Sequence, residues 1–300
     1  MKKKTYLFTL MAMALTLGSC SDNENGIGGE TSKYITVSTS IGNMTRVATD
    51  EKGGQTFEEG DEISVYAWTG APTVAPETSE RVVNNAINKL TNGSWISTPQ
   101  MLWKNNREKH YFIGVYPTAA ISDLSAGEYT FDANKQTESD LLVAVNKDGL
   151  SYSADAQQTV PLTFTHVMAK LAVNLTYKNQ WGGIPTVEKV VVGNAAKEAT
   201  INYLTKVVTP STTAKEDFSL PEITENTKYV SVIIPQEEVT QLTIVIGGKN
   251  FVYDNGTPFK LESGKITTVN LEVGRDEIKL GDVKITNWED GSTFSGEALN

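Results

Sequence analysis

From residue 33 onward, apolar and polar side chains alternate with a period of two, the pattern of half-buried strands. Residues 34–41 (Tyr-Ile-Thr-Val-Ser-Thr-Ser-Ile) are the clearest case, and are rich in β-branched residues. Further strand segments are predicted at 63–68 after the Glu59-Gly60-Asp61 turn, at 109–116 before Pro117, and at 141–145, 160–165, 170–177 and 187–192. Others follow at 229–234 before Pro235, at 242–246 before Gly247-Gly248, and at 249–253, 266–273 and 283–288. The stretch 79–90 alone has spacing that suggests a short helix. Strands punctuated by Gly, Pro and Asn turns, with no long helical period, predict an all-β chain built as sandwiches. Two sandwiches fit the length better than one, spanning residues 33–167 and 168–300, with a junction near His166 to Leu171. No repeat of solenoid period is visible.

The first residues follow another pattern. Lys2, Lys3 and Lys4 precede a short apolar run from Tyr6 to Leu15. A basic start and a short apolar segment make a secretory signal peptide over residues 1–19, too short for a spanning helix, which needs roughly 20 apolar residues. The run ends at Leu17-Gly18-Ser19-Cys20, which resembles a bacterial lipoprotein processing box. Cleavage before Cys20 leaves its thiol to carry diacylglycerol and its amine to be acylated. Acyl chains anchor a protein to a membrane without a span. Loss of residues 1–19 removes three lysines and takes the net charge from −10 to about −13. Residues 20–32 form an acidic, glycine-rich tether. Its Ser21-Asp22-Asn23-Glu24-Asn25 start is either a solvated spacer or, by resemblance to Bacteroidetes lipoproteins, a surface-export signal.

Composition narrows the chemistry. With 36 acidic and 26 basic residues, the chain repels phosphate backbones, so no nucleic-acid partner is expected. A single cysteine excludes an internal disulfide and a Cys-rich zinc site. The two histidines, His110 and His166, have no Cys partner, no i,i+4 histidine and no Gly-x-Ser-x-Gly elbow, and are expected to be structural. Asp61, Asp123, Asp140 and Asp290 fall at turns, where Asp commonly bonds its own backbone. A carboxylate pair meeting in one cleft is the only hydrolytic arrangement left open. Gly182-Gly183 and Gly247-Gly248 lack a phosphate-binding context. Trp68, Trp95, Trp103, Trp181 and Trp288 are expected in the core rather than stacked on sugars. No catalytic residue, metal or cofactor is expected.

Several phrases resemble the fimbrillin-like family of Bacteroidales. They are Phe57-Glu58-Glu59-Gly60-Asp61-Glu62-Ile63-Ser64-Val65-Tyr66-Ala67, then Tyr111 to Pro117, Ser139 to Ala144, Leu162 to Leu171, and the closing Ile285 to Gly291. Five phrases in order, behind a lipoprotein leader, cover nearly all of the mature chain. The resemblance implies two transthyretin-like β-sandwich domains in tandem and a role as a pilus subunit or related surface adhesin at the outer membrane. It implies export as a lipoprotein anchored through Cys20, then cleavage after an arginine that removes the first strand. In this chain Arg46 is the candidate, with Val47 as the new first residue. A sandwich stripped of a strand exposes apolar side chains and unpaired backbone groups. An extended segment of another pilus subunit then fills the groove by strand exchange. The candidate donor is the C-terminal segment with Ile278, Leu280, Val283 and Ile285, whose face changes across Gly281-Asp282, as at a bulge or between two short strands. It serves either as donor or as a strand of its own sandwich. The tail beyond Trp288 is short and polar where a polymerising stalk subunit should carry a longer apolar donor, which favours a tip or accessory position and leaves the place in the pilus open. A host or bacterial surface ligand is the expected further partner. The alternative is a non-polymerising surface lipoprotein that binds glycans, which requires exposed aromatic rings in one row.

Overall fold

The computed structural model describes residues 33–42, 56–153, 158–239, 241–254 and 258–288. Its first half contains β1 (Thr36–Ile41), β2 (Glu62–Thr69), β3 (Val83–Thr91), β4 (Ser94–Thr98), β5 (His110–Tyr116), β6 (Gly127–Thr130), β7 (Leu142–Leu150) and β8 (Thr159–His166). All but β6 join one sheet in the order β1-β8-β7-β5-β2-β3-β4. Every pairing in it is antiparallel except that of β1 with β8, which is parallel.

Central strands of this sheet are apolar on both faces because both faces are covered. Along β5, Phe112 packs with Ile63, Val65, Leu162 and Phe164, whereas Ile113 and Val115 join Tyr66, Trp68 and Val143 on the opposite side. Gly114 sits between them, where a Cβ would lie 2.6 Å from the Phe164 ring, so only glycine lets β5 pass. The sheet curls until its two ends face each other: the Trp95 indole N–H of β4 donates to Thr39 Oγ1 of β1 at 3.0 Å.

The second half adds β9 (Ala169–Tyr177), β10 (Val187–Ala196), β11 (Glu198–Asn202), β12 (Val207–Pro210), β13 (Lys215–Ser219), β14 (Glu222–Thr224) and β15 (Lys228–Ile233). They are followed by β16 (Gln236–Val239), β17 (Leu242–Ile246), β18 (Lys249–Tyr253), β19 (Phe259–Leu261), β20 (Lys265–Val273) and β21 (Ile278–Asn287). One sheet runs β14-β15-β9-β20-β21 and another β13-β10-β17-β18, with β16 and β19 as a separate pair. Their apolar faces form one large core with Leu171, Val173, Val190, Ile244, Val269 and Leu271 among its buried side chains.

That core does not stop between residues 167 and 168. It takes in Tyr66, Trp68, Ile113, Val115, Leu124 and Phe131 from the first half. β6 leaves its own half to pair with β11 in the sheet β12-β11-β6. The Phe131 N–H donates to the Lys197 carbonyl at 2.8 Å, and the Phe131 and Phe218 rings meet edge to face at 4.9 Å. Gln136 closes the same seam, accepting from the Val232 N–H at 2.7 Å and donating to Ser231 Oγ at 3.1 Å.

The expected helix at 79–90 is not there. Residues 78–80 form one short 3-10 turn, and β3 occupies most of the rest. Pairing with β2 passes from Val65↔Ala86 to Ala67↔Val83, so β3 carries one extra residue there. Asn85, at φ +56°, absorbs it as a bulge. The bulge spaces the buried Val83 and Ala86 three residues apart, which imitates a helical period.

Candidate functional site: the first strand and its groove

The first strand is held as an edge strand with its apolar residues turned inward. Ile35 and Val37 are 1% and 6% exposed, Thr39 and Ile41 are half-buried, and Ser38 and Ser40 face solvent. Its β-branched residues suit a pleated, half-buried position. The parallel register with β8 runs from Thr36↔Thr159 to Ile41↔Phe164. Backbone contacts extend it at both ends: the Ile35 N–H donates to Met101 O at 2.9 Å, the Trp103 N–H to Lys33 O at 3.2 Å, and the Gly42 N–H to Phe164 O at 2.8 Å. Beneath it lie Val160, Leu162 and Phe164 of β8, all fully buried. Without β1 these residues lose their cover and β8 becomes an open edge.

On its other side β1 faces β4 across a cleft of about 710 Å³ bordered by Val37, Ile41, Phe57, Leu90 and Trp95. Phe57 is the hub of this wall. Its ring meets Trp95 at 5.3 Å, Tyr116 at 5.3 Å and Phe164 at 5.1 Å, each edge to face. Burial, reinforced by Asp61, raises the Tyr116 phenol above its ordinary pKa.

The C-terminal candidate is an edge strand as well. β21 pairs antiparallel with β20 from Val273↔Ile278 to Lys265↔Asn287. Between Val269↔Val283 and Leu271↔Leu280 it carries one extra residue, so the bulge expected at Gly281-Asp282 is present. Asn270 closes over it, its Nδ2 donating to Asp282 Oδ1 at 2.6 Å, and a Cβ on Gly281 would stand 3.2 Å from the Asn270 carbonyl. Before the bulge Ile278 and Leu280 pack on the core; after it Val283 and Ile285 are 38% and 40% exposed. At its end Trp288 turns inward, stacks on His166 with ring centroids 4.0 Å apart and lies under Lys170 Nζ at 4.2 Å. His166 Nδ1 is 2.7 Å from Asp140 Oδ1. Burial lowers the Lys170 pKa, and Asp140 partly offsets it. The end of β21 is thereby fastened to the seam between the halves, a joint that the sequence spacing does not reveal.

The other candidates fall as follows. His110 is buried in β5, its Nε2 accepting from the Lys104 N–H at 3.0 Å; burial lowers its pKa and favours the neutral ring. Asp61 and Asp140 line one cleft with Glu58, but both are engaged: Asp61 accepts from the Glu58 N–H and the Tyr116 hydroxyl, and Asp140 faces His166. Asp123 accepts from Ser125 within its own turn. Trp68 and Trp288 are buried, and Trp95, Trp103 and Trp181 are half-buried. Among the described residues no group of three or more His, Cys, Asp or Glu is placed to hold a metal. No helix among them is long and apolar enough to cross a membrane. Cys20, Arg46, Val47 and Asp290 lie outside the described residues.

Solved structures share this architecture. A candidate cell adhesion protein from Bacteroides ovatus superposes with a TM-score of 0.65 at 17% identity, over 85% of this chain and 98% of that one. One from Bacteroides uniformis gives 0.62 at 17% identity, over 85% and 98%. A fimbrial protein from Bacteroides vulgatus gives 0.52 at 12% identity, over 84% and 99%. No curated protein matches the sequence. The fimbrillin-like family matches residues 45–288, most of the chain and nearly all of the described strands. The chain therefore belongs to the fimbrillin-like family.

Proposed function

We propose that this chain is a structural or adhesive subunit of a cell-surface pilus, exported as a lipoprotein precursor and assembled by strand exchange. The observation that carries the reading is β1: an edge strand, parallel to β8, that buries Ile35 and Val37 in a core otherwise built from later residues. Arg46 lies four residues beyond Gly42, where the described strand segment ends. Cleavage between Arg46 and Val47 severs β1 from the body of the protein and frees the groove over Val160, Leu162 and Phe164. Lipid on Cys20 holds the precursor at the outer membrane until then. Family membership and the fold shared with fimbrial and candidate cell adhesion proteins support this reading. Its two halves, 33–167 and 168–300, correspond in this reading to two transthyretin-like sandwiches in tandem. Ile278, Leu280, Val283 and Ile285 of β21 are the segment offered to a neighbouring subunit, which requires β21 to leave β20.

The test is the N-terminus of the protein recovered from the surface of its native cells. A free Val47 is the expected result. Finding only acylated Cys20 overturns cleavage and leaves a lipid-anchored protein that keeps its first strand.

A further inference from the structure

The groove under β1 is not uniformly apolar. Three of the four inward positions, Ile35, Val37 and Ile41, meet hydrocarbon. The fourth is Thr39, whose hydroxyl oxygen accepts the Trp95 indole N–H at 3.0 Å. Trp95 is held for this contact: Phe57 packs against its ring, and β4 fixes its backbone through the Leu90↔Trp95 pair. An indole N–H covered by a strand that offers no acceptor loses its hydrogen bond to water and gains none. The groove therefore discriminates among strands by more than hydrophobicity.

We infer that Trp95 is a specificity-determining residue that reads the incoming strand: the strand accepted in place of β1 runs parallel to β8 and presents apolar, apolar, hydroxyl and apolar side chains at successive inward positions. This rests on the strand-exchange reading above. The chain's own β21 does not meet the requirement. With its bulge at Gly281-Asp282, β21 carries Ile278, Leu280, Val283, Ile285 and Asn287 on one face; read without the bulge, its alternate residues are Ile278, Leu280, Asp282, Lys284 and Thr286, or Lys279, Gly281, Val283, Ile285 and Asn287. No frame of four has a hydroxyl third and apolar residues at the remaining positions. The occupant is therefore not β21 of a second copy but a strand of another subunit that carries this pattern.

The experiment uses the full chain with a sequence-specific protease site in place of residues 43–47. After cutting, labelled peptides compete with the resident strand: residues 34–43, the same peptide with Thr39→Val, and the same residues in reverse order. Valine keeps the shape of threonine and removes the hydroxyl, and with it the acceptor for the Trp95 indole. The expected result is entry of the native peptide, about tenfold weaker entry of the valine peptide, and no entry of the reversed one. In a Trp95→Phe chain the two forward peptides enter equally well. Equal entry of threonine and valine peptides into the unsubstituted chain overturns the readout and leaves the groove standing. Failure of every peptide to enter overturns the groove itself.

Discussion

The first and last strands are both sheet edges, yet they are built for opposite circumstances. β1 is six residues long, pairs in parallel, and hides its apolar residues under a curled sheet whose far rim reaches back to it through Trp95. β21 is ten residues long and pairs antiparallel, and its bulge at Gly281-Asp282 keeps Ile278, Leu280, Val283 and Ile285 on one face, opposite Val273, Leu271, Val269 and Thr267, although Val283 and Ile285 remain 38% and 40% exposed. The first is a piece of core that is not held in the middle of the chain. The second packs Ile278 and Leu280 on the core, leaves Val283 and Ile285 exposed, and is fastened at its end where Trp288 docks on His166. The longer ladder thus carries the less covered side chains, so ladder length alone does not measure how much core an edge strand supplies.

The largest expected effect falls on that end. Trp288→Ala removes a buried ring and its stack on His166, and is expected to cost about 3–5 kcal/mol in a urea titration. A loss under 1 kcal/mol would mean that β21 is held along its ladder instead. Next, Ile35→Ala opens a cavity under β1 and is expected to cost about 2–5 kcal/mol, measured the same way. Alkaline titration comes third. Burial raises Tyr177 and Tyr203 to about 12, and also raises Tyr66 and Tyr116. The folded chain then holds protons that the unfolded chain releases near pH 10, so stability is full below that value and declines as pH rises toward 12. The urea midpoint should fall between pH 9 and pH 11; Tyr203→Phe should lessen the fall. Smallest in stability is V283D/I285D, at the two exposed apolar positions of β21, expected to change it by about 0.5 kcal/mol or less per site. The same pair should suppress assembly into fibres, seen by electron microscopy; unchanged fibres would remove β21 from the donor role.

How much of this was written in the alternation of side chains differs from strand to strand. β1 was legible because one face is buried and the other wet, and the β21 bulge because its apolar residues switch parity at 281–282. β3 was misread because the bulge at Asn85 gives its buried residues a helical spacing. β14 escaped because all its residues are exposed, and β12 because its adjacent Val207 and Val208 hide in sequence the alternation that burial shows. The pairing of β6 with β11, the stack of Trp288 on His166 and the bond from Trp95 to Thr39 join residues far apart in sequence. Local pattern is silent on such partners, and the tryptophans could be placed in the core but not given their individual tasks.

The excursion of β6 has a mechanical consequence. A chain of two separately closed units, drawn out by its ends, parts first at the link between them and lengthens before either unit yields. Here such a pull is resisted at once by the β6–β11 ladder, the Phe131–Phe218 contact and the Gln136 clasp. Separating the two halves therefore means breaking these contacts as well as straightening the link, so the chain lengthens less readily than two independent units would.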